Sequence, residues 1–413
     1  MIDTNSKPNI HVDQAIALED KYGAHNYHPI PVVLKKGKGV FVWDTDGKRY
    51  YDFLSAYSAV NQGHCHPKIL NALIQQSQEL TLTSRAFYND ALGEYEKFAC
   101  ELFGYDKLLP MNTGAEGVET ALKLCRKWAY TRKGIAENEA KIIVCEENFH
   151  GRTTGIISAS TDPEAKEGFG PYLPGYITIP YNDVAALEIA LRVPGVAGFL
   201  IEPIQGEAGA RVPDVGYLKK CSTLCKEANV LFIADEVQTG IGRTGKMLAC
   251  DHEEVQADIL ILGKALSGGF LPVSAVLAND EIMLCIKPGQ HGSTFGGNPL
   301  ASRVAIASLE VILEENLIEN AYMMGKIFRS GLMDIQSHLI KEVRGKGLLN
   351  AMVIPAFGEF TAWDICMDLK ENGLLAKPTH GDIIRFAPPL IINEPQIREC
   401  IEIIKQTILR FTN

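Results

Sequence analysis

The sequence holds no run of about 18 or more apolar residues, which excludes a membrane-spanning helix by the length a bilayer demands. Basic charge is also short: 40 Lys and Arg stand against 50 Asp and Glu, a formal net charge of −10. That balance argues against nucleic acid as a partner, because phosphate binding needs a concentrated basic face. Zinc spacing is missing as well. Of the ten cysteines, Cys221 and Cys225 lie four apart on an expected helix, and no second Cys/His pair follows to complete a metal set. The others, Cys100, Cys125 and Cys145 among them, are scattered through apolar segments, as reduced core thiols are and disulfide frameworks are not. The first residues, MIDTNSKPNIHVDQ, lack the apolar centre of a secretory signal and the Arg/Ser-rich character of a transit peptide. The expectation is a cytoplasmic protein, or a mitochondrial one if a presequence has been removed. Internal repeats and low-complexity stretches are absent too.

What is present is an ordinary globular composition, 46% hydrophobic and 22% charged over 413 residues, with room for two packed domains. Residues 12–60 read as short strands and Gly-containing turns, as in VFVWDTDGKRYYDF. From about residue 105, apolar strands alternate with helix-length segments: KIIVCEE (141–147), GFLIEPI (198–204), NVLFIADE (229–236), DILILGKAL (258–266) and PVSAVLA (272–278). Continuous apolar runs of this kind suit strands buried on both faces, hence a parallel or mixed sheet under helices. NPLASRVAIASLEVILEEN, from Asn298 to Asn316, reads as a helix with Pro299 at its start. The order beyond about 320 is helix, short strands (LLNAMVI, DIIRFAP), helix. The expected division is 1–55 as an N-terminal segment and part of a small domain, 56–318 as a large domain, and 319–413 as the rest of the small domain.

Three places carry chemistry. At NTGAEGVETALKLCRKW, beginning at Asn112, a strand-like KLLPM runs through a Gly-containing turn into a helix with apolar Val118, Leu122, Cys125 and Ala129. Free backbone N–H groups and the helix dipole at Thr113, Gly114 and Ala115 suit a phosphate, although a plain strand–helix turn reads the same. At NVLFIADEVQTG a buried strand ends on Asp235 and Glu236. Carboxylates there point into the crevice where α/β proteins bind ligands. A buried carboxylate needs a cationic partner, which a protonated pyridine nitrogen would supply; the competing reading is a helix-capping Asp. At DILILGKALSGG, Lys264 follows another buried strand among small residues. A desolvated lysine loses its proton readily and can form a Schiff base, unless it simply reaches a surface carboxylate. GIGRTG (240–245) matches a dinucleotide fingerprint letter for letter. However, it does not follow its strand directly and lacks a clear βαβ unit with an acid about 20 residues on. His64 and His66, flanking Cys65 before Pro67, read as a turn and not a metal site.

With these residues in hand, the chain resembles the class III, fold-type I aminotransferases over nearly its whole length. The segments NTGAEGVETALKLCRKW, ENFHGRTTG, EPIQGEAG, LFIADEVQTGIGRTGKMLA, GKALSGGFLPVSAVL and HGSTFGGNPLA stand in that family's order. The resemblance implies a large, mostly parallel seven-stranded sheet domain covered by helices, with a smaller α+β domain built from both termini. It implies pyridoxal 5'-phosphate as cofactor, no metal, and a homodimer with shared active sites. Lys264 would carry the cofactor and shuttle the proton, and Asp235 would pair with the pyridinium nitrogen. Gln238 would bond the ring hydroxyl oxygen and Phe149 would stack on the ring. Gly114 and Ala115 would donate N–H groups to the phosphate, and Thr294 would reach the phosphate of the neighbouring subunit. YGAHNYHPIPV and LSAYSAVNQGHCHPKI are most similar to the branch acting on ornithine, in which a bulkier valine is expected where Ala115 stands.

For that branch the implied reaction moves the δ-amino group of L-ornithine to 2-oxoglutarate by ping-pong transfer. The products are glutamate 5-semialdehyde, which cyclises to pyrroline-5-carboxylate, and glutamate. Arg152 would hold a substrate carboxylate, and Tyr27 and Tyr57 the substrate's distal end. Glu207 and Arg385 would form a pair that is closed with ornithine and open with glutamate. The alternatives are another ω-aminotransferase, acting on acetylornithine or 4-aminobutyrate, and a non-catalytic cofactor-binding protein of the same fold.

Overall fold

A computed structural model describes residues 12–355, 360–379 and 381–412. The expectations for the first eleven residues therefore lie outside it. Strands β1 (Leu34–Lys38), β2 (Phe41–Asp44) and β3 (Arg49–Asp52) form an antiparallel meander. The central sheet takes its strands from β4 (Lys107–Met111), β5 (Lys141–Cys145), β6 (Tyr176–Ile179), β7 (Val196–Ile201), β8 (Leu231–Asp235), β9 (Ile259–Leu262) and β10 (Ser274–Ala278). Their order in space is β4-β10-β9-β8-β7-β5-β6, and only β10 runs antiparallel to its neighbours. A third sheet comprises β11 (Glu342–Lys346), β12 (Leu349–Val353), β14 (Lys377–Thr379) and β15 (Ile383–Phe386), in the order β11-β12-β15-β14. The short β13 (Leu374–Leu375) pairs with β3, so C-terminal chain completes the N-terminal sheet.

The central strands are buried on both faces because alternate side chains feed two apolar clusters. Ile143, Phe199, Phe232 and Leu260 join one cluster, and Ile142, Leu200, Ile233 and Ile261 the other. The expected long helix spans Pro299–Glu314, with the Asn298 side chain accepting from the Ala301 N–H as its cap. One expectation is corrected: residues 12–60 do not consist only of strands and turns, since Val12–Tyr22 is a helix. Its Ala, Leu and Glu residues are strong helix formers, with Asp13 in the first turn and Lys21 in the last. No helix among the described residues is long and apolar enough to cross a membrane.

Neighbouring strands deliver the site at one edge. Glu202 follows β7, Asp235 ends β8, and Lys264 follows β9 after Gly263. This is the carboxyl-end crevice of an open α/β sheet.

Candidate active site

A cavity of about 190 Å³ opens at that edge, lined by Gly114, Ala115, Phe149, His150, Gly151, Glu202, Glu207, Asp235, Val237, Gln238 and Lys264. Lys264 sits at φ 43° at the head of a short 3₁₀ turn, a left-handed conformation that costs a non-glycine residue energy. Burial pushes its ammonium below the ordinary lysine value, against the raising pull of Glu207, Asp235 and Glu202.

The phosphate reading of the NTG turn gains a geometric basis. The helix is Gly114–Trp128, capped by Thr113. Thr113 Oγ1 accepts from the Glu116 N–H at 3.2 Å, and Glu116 Oε2 accepts from the Asn112 and Thr113 N–H groups at 2.8 and 2.9 Å. This reciprocal box leaves the first-turn N–H groups of Gly114 and Ala115, which have no intrahelical partner, for a ligand. A Cβ on Gly114 would lie 2.9 Å from Val237 Cγ1, so glycine keeps this corner open.

Asp235 is buried and doubly held. Its Oδ1 accepts from the Val237 N–H at 3.1 Å and its Oδ2 meets His150 Nδ1 at 2.6 Å. Burial alone would lower the His150 value, but the hydrogen bond and charge of Asp235 overturn it and hold the imidazole above its ordinary value. The other ring nitrogen, Nε2, is buried without a hydrogen-bond partner. Burial raises Glu202 to about 7, opposed by the His150 charge. Its carboxylate accepts from the Phe149 N–H at 2.8 Å and the Gly206 N–H at 3.4 Å.

His150 and Glu202 were not anticipated. The signal for Glu202 was available: it follows a buried strand in the same way that Asp235 ends one, a single step past the Ile201–Ala234 register pair.

At the opposite end, Arg385 Nη1 lies 2.6 Å from Glu207 Oε1. Burial works to raise Glu207, but the charge and hydrogen bond of Arg385 prevail and hold its carboxyl below the usual range. Gln238 Nε2 joins the two ends, donating to Glu207 Oε1 at 3.3 Å and to the Tyr57 carbonyl at 3.4 Å. The Tyr57 ring faces the Arg385 guanidinium, 5.5 Å from ring centroid to Cζ. Tyr57 belongs to four consecutive non-glycine residues, Ser55 to Ser58, at positive φ. Asp52 Oδ1 pins the start of that turn by accepting from the Leu54 and Ser55 N–H groups at 2.9 and 2.8 Å.

Five expected residues do not line the cavity: Arg385 and Tyr57, which contact the lining residues Glu207 and Gln238, and three exposed ones. Tyr27 is exposed, with Lys377 Nζ 5.8 Å from its ring centroid. Arg152 is exposed, 5.5 Å from the Phe149 ring centroid and 3.9 Å from the Asp162 carboxylate. Thr294 is exposed beside Ser293, whose Oγ accepts from Asn112 Nδ2 at 2.9 Å. GIGRTG is a buried turn in which Arg243 donates to the Leu348 and Pro388 carbonyls and to Asn61 Oδ1, at 3.0, 2.6 and 2.5 Å. His64 and His66 bond Asp52 and Glu315, at 2.7 and 2.9 Å.

A sheet crevice with a buried lysine, a paired carboxylate and a helix N-terminus defines a cofactor-dependent transferase site. The model of the class-III aminotransferases matches residues 22–408, and the chain belongs to that family. It is 65% identical to a protein of Drosophila melanogaster named ornithine aminotransferase, mitochondrial, over 95% of this chain and 91% of that one. It superposes with a TM-score of 0.96 on the ornithine aminotransferase of Toxoplasma gondii, which has PLP in partial occupancy at its active site. The identity is 49%, over 97% of this chain and 95% of that one. An acetylornithine aminotransferase from Elizabethkingia anophelis shares 60% identity with a TM-score of 0.89, over 97% of this chain and 99% of that one.

Proposed function

We propose that this chain is a pyridoxal 5'-phosphate-dependent aminotransferase that moves the δ-amino group of L-ornithine to 2-oxoglutarate. The products are glutamate 5-semialdehyde, which closes to pyrroline-5-carboxylate, and glutamate. The observation that carries the reading is the Glu207–Arg385 pair at 2.6 Å, whose Glu207 lines one cavity with Lys264 and Asp235.

The residues fit the cofactor. The open first-turn N–H groups of Gly114 and Ala115 suit its phosphate, Phe149 its ring face, Gln238 its ring hydroxyl and Asp235 its nitrogen. When bound, pyridoxal phosphate supplies an electron-withdrawing ring and a carbonyl that a lysine amine can attack. Lys264, its ammonium weakened by burial, would hold that carbonyl in the resting protein and, once the substrate amine has displaced it, would move a proton at the substrate carbon that bears the amine. His150 and the Val237 N–H keep Asp235 aimed.

Substrate choice rests on the other end. With Glu207 closed on Arg385 the Arg385 guanidinium is not free, so the δ-amine of ornithine enters and its α-end lies toward Tyr57, Tyr27 and Arg152. With glutamate or 2-oxoglutarate, Glu207 turns away and Arg385 takes the α-carboxylate, while Arg152 holds the second one. On this reading Thr294 completes the phosphate site of a neighbouring subunit, which makes the homodimer the active form. On the same reading the described part of 1–55 is an N-terminal segment and part of the smaller domain, 56–318 is the larger domain, and the described part of 319–413 is the rest of the smaller one.

The name of the Elizabethkingia relative favours a second reading, N-acetylornithine as the amine donor. A half-reaction screen decides. Purified protein with cofactor bound is mixed with ornithine, N-acetylornithine or 4-aminobutyrate, without keto acid, and the loss of the cofactor's absorbance is followed. Ornithine should act fastest. N-acetylornithine acting faster would favour the second reading, and no loss with any amine would indicate a non-catalytic binder.

A further inference from the structure

The loop that carries Glu207 is anchored as backbone, not only through its side chain. Gln205 and Arg211 close it with paired N–H···O bonds of 3.2 and 2.9 Å, and the Gly209 and Ala210 N–H groups both donate to the Gly206 carbonyl, at 3.1 and 3.2 Å. Four of the five carbonyls between, those of Gly206 to Gly209, are then taken in turn by side chains of the third sheet. Arg385 Nη1 donates to Gly206 O at 3.3 Å and Thr379 Oγ1 to Glu207 O at 3.1 Å. Arg344 Nη2 donates to Ala208 O at 3.1 Å and Arg344 Nε to Gly209 O at 2.8 Å.

The sheet register explains the fit. Arg344 pairs with Ala351 across β11 and β12, and Ala351 pairs with Arg385 across β12 and β15. Directly opposed residues share a face, so two arginines stand on either side of a small alanine. The loop packs there, with Ala210, Ala351 and Ile383 in one apolar cluster. Gly209 is pressed so closely that a Cβ would lie 2.8 Å from Ile383 and 3.0 Å from Arg344 Nη2. Arg344 itself is no part of the cavity wall.

We propose that Arg344 is a positioning residue for substrate choice: it fixes the Glu207 loop on the third sheet, so that exchange of Glu207 for a substrate carboxylate at Arg385 proceeds by side-chain rotation with the loop in place. The proposal rests on the Glu207–Arg385 switch and adds what holds that switch in register. A planar guanidinium donates to two successive carbonyls from one rigid fork, which a lysine ammonium does not reproduce. Without the fork, the Glu207 carboxylate is no longer preset against Arg385, and the site loses discrimination between an amine-bearing and a carboxylate-bearing substrate.

The test joins amide exchange to half-reaction kinetics on the cofactor-loaded protein. In Arg344→Met the amides of Gly209 and Ala210 should exchange about tenfold faster or more, as local opening becomes easier. The ratio of kcat/KM for ornithine over glutamate should narrow by about tenfold, mainly through KM, the scale of one lost charge-assisted bond. Arg344→Lys should fall between Arg344→Met and the native protein, and it serves if the methionine variant does not fold. In the native protein these amides should stay equally protected when glutarate, a dicarboxylate probe, is bound. Unchanged exchange in both variants, or faster loop exchange on glutarate binding, would overturn the proposal. Glu207→Ala separates the two levels: an unaltered substrate preference there refutes the switch, while the exchange data still judge the anchor.

Discussion

Asp235 and Lys264 reach the cavity from neighbouring strands of the central sheet, whereas Glu207 reaches it from a loop and is paired with Arg385 of the third sheet, 178 residues away in sequence. The first end is buried and held by backbone. Asp235 has both oxygens occupied, and the phosphate corner is a capped helix start. The second end is made to be opened. Glu207 is about a quarter exposed, Arg385 Nε has no hydrogen-bond partner, and the link between them is a single charged contact. The contrast follows from the two tasks. A cofactor stays through every cycle, so its contacts gain from preorganisation. On the proposed function two substrates of different charge alternate at the other end, so a contact there would break and re-form within each turnover.

Substitutions at the two ends should therefore fail differently. The largest effect falls at the fixed end: Lys264→Ala should lower turnover by at least about 10³-fold, because proton transfer by a positioned group and the covalent hold are lost together. Cofactor retained by the washed variant, read by its absorbance, should show non-covalent binding persisting. Near-normal turnover would mean that another lysine does this work. Asp235→Asn should lower both half-reactions together, by roughly 10²-fold, the scale of removing one preorganised charge. Equal rates in variant and native protein would reduce Asp235 to a structural cap.

At the exchangeable end, Glu207→Ala should split the half-reactions. Charge-assisted hydrogen bonds are worth about 1.5–3 kcal/mol, so glutamate should react faster by one to two orders of magnitude and ornithine more slowly. Equal losses in both would leave Glu207 as scaffolding.

The smallest effect concerns pH. Glu202 releases its proton near 4.5 when unfolded and near 7 when folded, so between these values the folded state binds the more protons and stability falls as pH rises. His150, raised above 6.5, adds the same sign only above that value. Glu202→Gln should therefore flatten the decline below about pH 6, by roughly 1–3 °C in Tm. An unchanged slope there would place the Glu202 ionisation outside this window.

The fixed end was also the legible one. A buried apolar strand ending in a carboxylate or lysine is a local pattern, and NVLFIADE and DILILGKAL carry it within nine residues each. Glu202 obeys the same rule at the end of GFLI and was legible in the same way. His150 gave no periodic signal: it reaches Asp235 across 85 residues of sequence through one bond. The Glu207–Arg385 pair came only through family resemblance, since no local pattern links EPIQGEAG to DIIRFAP. Its register is set by the third sheet, and the arginine fork of Arg344 was invisible for the same reason. The helix Val12–Tyr22 is helical in its own composition, which the reading of 12–60 as strands and Gly-containing turns did not weigh. Arg243 was read within a nucleotide-like motif, whereas its guanidinium ties that turn to Asn61, Leu348 and Pro388.

The central claim is that a closed Glu207–Arg385 pair admits the δ-amine of ornithine and turns the α-amine away. Ornithine labelled with ¹⁵N at the δ-nitrogen, and separately at the α-nitrogen, can be incubated with the cofactor-loaded protein and 2-oxoglutarate, with the glutamate formed analysed by mass spectrometry. The account predicts label in glutamate from the δ-position and none from the α-position. Label arriving from the α-position would contradict it.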